Sequence, residues 1–167
     1  MIENLTHLNE NNEAHMVDIG GKKTTERTAR ASGVINMSLQ AVRLLADNAA
    51  QKGDVLGVAR IAAIQGCKQT GFLIPLCHPL SLSHVRVDFD IDMELARVKA
   101  TVTASTQAQT GVEMEALMGV NIALLTIYDM LKAVDKRMTI TQVHLEEKSG
   151  GKSGNFLFDD AYENIEF

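Results

Sequence analysis

From Ala116 to Tyr128 the chain runs for thirteen residues without a charged side chain, bounded by Glu115 and Asp129. This stretch predicts a long helix, from Gly111 to about Lys136, that is apolar nearly all round. Leu117, Met118, Val120, Ile122, Leu124, Leu125 and Ile127 cannot all share one face, so such a helix must be covered on more than one side. The favoured cover is a second copy of the chain; the alternative is a further helix of the same chain. Sixteen residues separate Glu113 from Asp129, or about 24 Å along a helix axis. Carboxylates at the two ends therefore cannot meet at one small ligand within one subunit. Antiparallel pairing about a two-fold axis would join them.

The clearest period-two signals lie just before this helix. Val85, Val87, Phe89 and Ile91 alternate with Arg86, Asp88, Asp90 and Asp92, and Val98, Ala100, Val102 and Ala104 alternate with polar neighbours. They predict a hairpin with its loop near 93–96. Ala31–Met37 reads as a strand, Ser38–Ala50 as a helix capped by Ser38, and Asp54 as the cap of a helix reaching about Thr70. The last strand should run from Met138 to about Glu147, with a bulge at Thr141-Gln142. Residues 1–30 read as a partly mobile arm or loop, with a short strand at His15–Ile19 as an option. The acidic tail 159–167 should fray.

The order β-α-α-β-β-α-β predicts an α+β, ferredoxin-like domain spanning 1–158. Its four-stranded antiparallel sheet should carry helices on one face, plus one extra helix.

No Trp occurs among the 167 residues, so the core must be built from aliphatic side chains and eight Met. The net charge of −5 disfavours nucleic acid or an anionic membrane as a partner. Within that acidic background Lys22, Lys23, Arg27 and Arg30 form a basic cluster suited to a small anion, or simply a solvated charge run. Cys67 and Cys77 form no CxxC pair, and no signal-peptide pattern is seen at Met1–Asn9. Two free thiols in a cytoplasmic protein are expected. The histidines show no ligand spacing, so no metal site is expected.

Three segments invite chemistry. Phe72-Leu-Ile-Pro-Leu-Cys-His-Pro-Leu80 holds both prolines and reads as a rigid connector presenting Cys77 and His78. His78 is either a functional group or a hydrogen-bonded core histidine; Cys77 as a nucleophile has no evident partner. Lys148-Ser-Gly-Gly-Lys-Ser-Gly154 offers backbone N–H groups and two lysines to a phosphate, but position 146 is Glu, so it is not a Walker loop. At the ends of the long helix, Thr110-Gly-Val-Glu113 fits a capping box, and Asp129 and Lys132 an i, i+3 pair. Each has a structural reading beside the functional one.

Together with His15-Met-Val-Asp-Ile19, Lys52-Gly-Asp54, Leu73–Leu80, Thr110–Leu117 and Leu125–Val134, these segments resemble the MoaC family from about Leu5 to Phe156. These are cyclic pyranopterin monophosphate synthases of molybdenum cofactor biosynthesis. The resemblance implies a hexamer built as three dimers, with active sites at the dimer interface. It implies a nucleotide-derived substrate, 3′,8-cyclo-7,8-dihydro-GTP, supplied by an upstream radical enzyme, and a lyase reaction that releases pyrophosphate. It places Leu76, Cys77, His78, Glu113, Met114 and Glu115 at the substrate. Asp129 and Lys132 would act from the other subunit, and Lys52 and His78 would join them in catalysis. Arg27, Lys148 and Lys152 are candidate phosphate ligands. No cofactor is required; Mg²⁺ could accompany the triphosphate.

Overall fold

The structure, a computed structural model, describes residues 7–152 and 154–158. Its elements are β1 (Thr25–Asn36), α1 (Leu39–Ala46), α2 (Val55–Leu73), β2 (Leu82–Asp92), β3 (Arg97–Ala108), α3 (Glu113–Leu131), β4 (Thr139–Ser149) and β5 (Phe156–Leu157). All strand pairings are antiparallel, in the order β2-β3-β1-β4-β5. The first four strands take the order of a split βαβ arrangement. The expected four-stranded sheet is corrected to five, because the chain turns back after β4 and pairs Phe156 with Lys148 and Leu157 with Glu147.

The hairpin turns where the alternation breaks, between Asp92 and Arg97. Asp92 accepts hydrogen bonds from the backbone N–H groups of Glu94 and Leu95, which closes the turn. Both expected N-caps are made: Ser38 Oγ accepts from Ala41 N–H, and Asp54 Oδ1 from Gly57 N–H. A bulge in β4 falls where Ser32 faces His144 and Val34 faces Thr141, with Gln142 between them at φ 54°. β1 starts at Thr25, six residues before the expected Ala31, because its polar first half pairs with the end of β3, Thr25 opposite Ala108. Part of the expected loop 1–30 is therefore strand. His15–Ile19 forms no strand. The acidic tail 159–167 lies outside the described residues.

Helices cover one face of the sheet. Ala29, Ala31, Ile35, Val98, Ala100, Val102 and Ala104 point into the core and are fully buried. The other face is polar: Arg30 and Lys99 both reach Glu146 at 2.8 Å. α3 lies on β1 at Gly33, where an added Cβ would meet Val120, Leu124 and Val143 side chains at 2.8–2.9 Å. α2 lies on α3 at Gly66 and Gly119, where an added Cβ would meet Ile122 at 2.8 Å and Cys67 Sγ at 2.6 Å respectively.

The extra helix α2 is thus one cover of the uncharged α3, the alternative to a second copy. It does not finish the job. Leu125 is 56% exposed, and Met114, Asn121, Asp129 and Lys132 follow it along the same outer stripe. α3 is long and apolar enough to cross a membrane by length and composition, but it is the helix around which this core is built.

Helix propensity favours Ala over Gly by about 1 kcal/mol, but overpacking a filled contact costs about 1–3 kcal/mol. Gly119→Ala should therefore destabilise the protein despite its better propensity. Adding Cys67→Ala, which removes the obstructing sulfur, should recover part of the loss in a thermal unfolding series.

Candidate active site

α2 closes with Ile74 N–H donating to the Thr70 carbonyl at 2.9 Å, and Pro75 prevents its continuation. The connector then turns back on itself, Cys77 N–H donating to the Ile74 carbonyl at 3.1 Å. It lies directly on the last turn of α2. A Cβ on Gly71 would meet Pro79 Cα at 2.8 Å. This packing fixes Leu76, Cys77 and His78 beside the start of α3.

His78 Nε2 lies 2.8 Å from the Val17 carbonyl. A carbonyl can only accept, so Nε2 carries the proton in this arrangement. The N-terminal arm, expected to be partly mobile, is thereby drawn over the connector.

The first turn of α3 departs from the expected capping box. Val112 occupies the cap position and supplies no side-chain hydrogen bond. Glu113 instead reaches Lys148 on β4 at 2.9 Å. Its carboxylate also passes over Gly111, where no side chain obstructs it.

Two adjoining compartments open here. One, of about 300 Å³, is lined by Leu76, Cys77, His78, Glu113, Met114 and Glu115, with arm residues including Val17 and Ile19. The other, of about 650 Å³, is lined by Lys22, Lys23, Arg27, Lys148, Lys152 and Gln109, among others. Lys22, Thr110, Gly111 and Glu113 border both, so the two compartments lie side by side as one cleft region, with a carboxylate-and-thiol end and a cationic end. The Lys148–Gly154 loop contributes through its shape. Gly150 and Gly151 both have positive φ, and the Arg27 guanidinium lies where a side chain on Gly151 would be. Arg30, the fourth base of the sequence cluster, faces the opposite side of the sheet and pairs with Glu146 and Glu147.

Asp129, Lys132 and Lys52 form a second group. Asp129 Oδ1 lies 2.7 Å from Lys132 Nζ, and Asp129 Oδ2 lies 3.0 Å from Lys52 Nζ. Lys52 Nζ also donates to the Asp129 carbonyl at 2.9 Å, a favourable place for a cation at a helix C-terminus. The hydrogen bond and charge of Lys132, and then those of Lys52, hold the Asp129 carboxyl below its usual range. The bond to Asp129 raises Lys132. All three side chains are about half exposed. They sit at the far end of α3, about 24 Å from Glu113, so one chain does not bring the sequence-selected residues together.

Burial pushes the Glu115 carboxyl up to about 7, opposed by its own backbone N–H and assisted by the Glu113 charge. Burial and the Glu115 charge likewise push the Cys67 thiol up to about 12 and raise Cys77. A thiol so raised is a poor nucleophile at neutral pH. Among the described residues no group of three or more His, Cys, Asp or Glu is placed to hold a metal ion.

The sequence model of the MoaC family matches residues 16–151, a span that takes in the lining of both compartments except His7 and Lys152, and the Lys52–Asp129–Lys132 group. The chain belongs to the MoaC family. Its members serve molybdenum cofactor biosynthesis, consistent with an enzyme acting on a small molecule. Among solved structures, a mutant of the ferredoxin protease FusC in complex with Arabidopsis ferredoxin is 14% identical, with a TM-score of 0.30. That match covers 65% of this chain, which spans only 10% of the other; a likeness so weak carries no argument.

Residue pattern missed the arm residues His7, Val17 and Ile19 in the MoaC cleft, and Gln109 at its cationic end. Val17 enters through a backbone carbonyl, which leaves no signal in residue type. Gln109 sits in a polar run that reads as ordinary loop.

Between the ordinary carboxyl value of 4.5 and the raised value near 7, native Glu115 holds a proton that the unfolded chain has released. Stability should therefore fall as pH rises through this window, by about 3 kcal/mol if the full shift is expressed. Glu115→Gln should remove this slope, and thermal midpoints at pH 5 and pH 8 for both proteins would check it.

Proposed function

We propose that this chain is a cyclic pyranopterin monophosphate synthase, a lyase converting 3′,8-cyclo-7,8-dihydro-GTP to cyclic pyranopterin monophosphate with release of pyrophosphate. The reading rests chiefly on one observation, the two adjoining compartments whose linings match the two ends of such a substrate. Guanine-like N–H groups need acceptors, which Glu113 and Glu115 offer. A triphosphate needs cations, which Lys22, Lys23, Arg27, Lys148 and Lys152 offer around the larger compartment. Turning a triphosphate into a cyclic monophosphate requires a substrate hydroxyl oxygen to attack the α-phosphorus while the α–β anhydride bond breaks. The cations would carry the charge that gathers on the departing pyrophosphate.

Ring opening and rearrangement are proton transfers, which call for a paired acid and base. Asp129 is the acceptor and Lys132 the donor of such a pair, with Lys52 fixing the carboxylate from its other side. His78 and Glu115 would face them across the substrate. Because the pair lies a whole helix away from the cleft, a second copy must supply it. The uncovered stripe of α3 from Met114 to Lys132 supports a two-fold pairing of antiparallel α3 helices. Exposed apolar side chains on α2, Ile61 (69%), Phe72 (79%) and Leu73 (58%), add further surface for assembly into a hexamer of three dimers. The ferredoxin-like strand order of β1–β4 and the free thiols Cys67 and Cys77 fit a cytoplasmic enzyme of this kind.

The direct test incubates the purified protein with the cyclic dihydro-GTP intermediate and follows pterin fluorescence after oxidation, together with pyrophosphate. Both products should appear in equal amounts. Ligand bound but recovered unchanged would instead favour a regulatory binding module on the same fold. Asp129→Ala and Lys132→Ala should each lower turnover by at least about 10²-fold while the oligomer elutes unchanged on gel filtration.

A further inference from the structure

The arm that crosses the cleft is held by a residue with no role in the chemistry above. Gln109 follows directly on β3, and its Nε2 donates to the Lys22 carbonyl at 2.9 Å and lies 3.5 Å from the Gly20 carbonyl. The same turn is closed internally. Lys22 N–H donates to the Ile19 carbonyl at 2.9 Å, and Gly20 N–H donates to Asp18 Oδ1 at 2.8 Å. Five residues upstream of Lys22, the Val17 carbonyl accepts from His78. The arm is therefore pinned at one point over each compartment, by His78 over the carboxylate end and by Gln109 over the cationic end. Lys22, whose carbonyl takes the second pin, borders both.

We propose that Gln109 is a positioning residue. Its amide holds the Gly20–Lys22 turn across the waist of the cleft, so that the arm forms the wall shared by the base and phosphate ends of the substrate. The arm is held through main-chain carbonyls and few apolar contacts: Met16 is 49% exposed and Lys22 and Lys23 are exposed. Such a segment opens at little cost. A polyphosphate bridging Lys22 and Lys23 on the arm to Arg27, Lys148 and Lys152 on the sheet draws the wall shut. The inference rests on the polyphosphate-binding part of the proposed function, not on the pterin chemistry.

Trypsin cleavage of the full chain after Lys22 and Lys23, followed by mass spectrometry, reads the arm directly. Inorganic tripolyphosphate should slow cleavage of the wild-type protein. Gln109→Ala, which loses the amide donor, should be cut about five-fold faster without ligand and be less protected by tripolyphosphate. Its KM for the cyclic dihydro-GTP should rise more than its kcat falls, with the thermal midpoint unchanged. Asp18→Ala, which loosens the same turn from the arm's own side, should show the same cleavage pattern if the Gln109 variant folds poorly. Cleavage of both variants at the wild-type rate would overturn the proposal, as would tripolyphosphate that protects no form. Arm protection that depends on Gln109, in a protein that makes no pterin, would leave the positioning role standing and remove the assigned reaction.

Discussion

The close approach of α3 to its neighbours is the constraint on which the rest of this structure depends. Gly33 on β1, Gly66 on α2 and Gly119 on α3 each stand where a Cβ would collide with a side chain of the facing element. Small residues at these crossings let an uncharged helix sink between sheet and α2. The rigid axis that results fixes the place of everything at its ends. Glu115 is carried into the interior at one end and is 3% exposed; Asp129 is held in water at the other. The two carboxyls are shifted in opposite directions, Glu115 upward by burial and Asp129 downward by its bonds to Lys132 and Lys52.

That inequality divides the chemistry. The buried end combines a carboxyl raised toward neutrality with an adjoining compartment of lysines and an arginine, the combination that the proposed substrate, part base and part polyanion, would call for. The exposed end holds a carboxylate between two ammonium groups. Surface ion pairs of this kind contribute little to stability, so stability offers no strong reason for this arrangement. Exposure also leaves the group free to enter a neighbouring molecule's cleft, as the proposed function requires. The stripe joining the two ends leaves Leu125 bare, which gives the joining helix a contact to make.

Legibility in the sequence followed the physical origin of each feature. The β2–β3 hairpin and the caps at Ser38 and Asp54 are local, set by alternation and by one side-chain oxygen, and they lie where the pattern put them. The early start of β1 was hidden because Thr25–Arg30 is polar, and only pairing with the end of β3 makes it a strand. β5 is two residues long and has no period to read. Glu113 satisfied a capping pattern, yet its carboxylate found Lys148, a partner thirty-five residues away in the chain. The grouping of Asp129 with Lys132 was visible as a helical spacing, but the approach of Lys52 to them was a tertiary event. The cleft's arm was least legible, because carbonyls of Val17, Gly20 and Lys22 make its contacts and every residue type has a carbonyl.

The central claim is that one copy supplies the cleft and another the Lys52–Asp129–Lys132 group. Subunit mixing of a Glu115→Gln variant with an Asp129→Ala variant tests it most directly, since each is broken at a different end of α3. After proven subunit exchange, mixed oligomers should recover about a quarter of wild-type turnover, because half the two-fold pairs would then hold one fully intact site of two. No recovery, with exchange demonstrated, would contradict a site shared between copies.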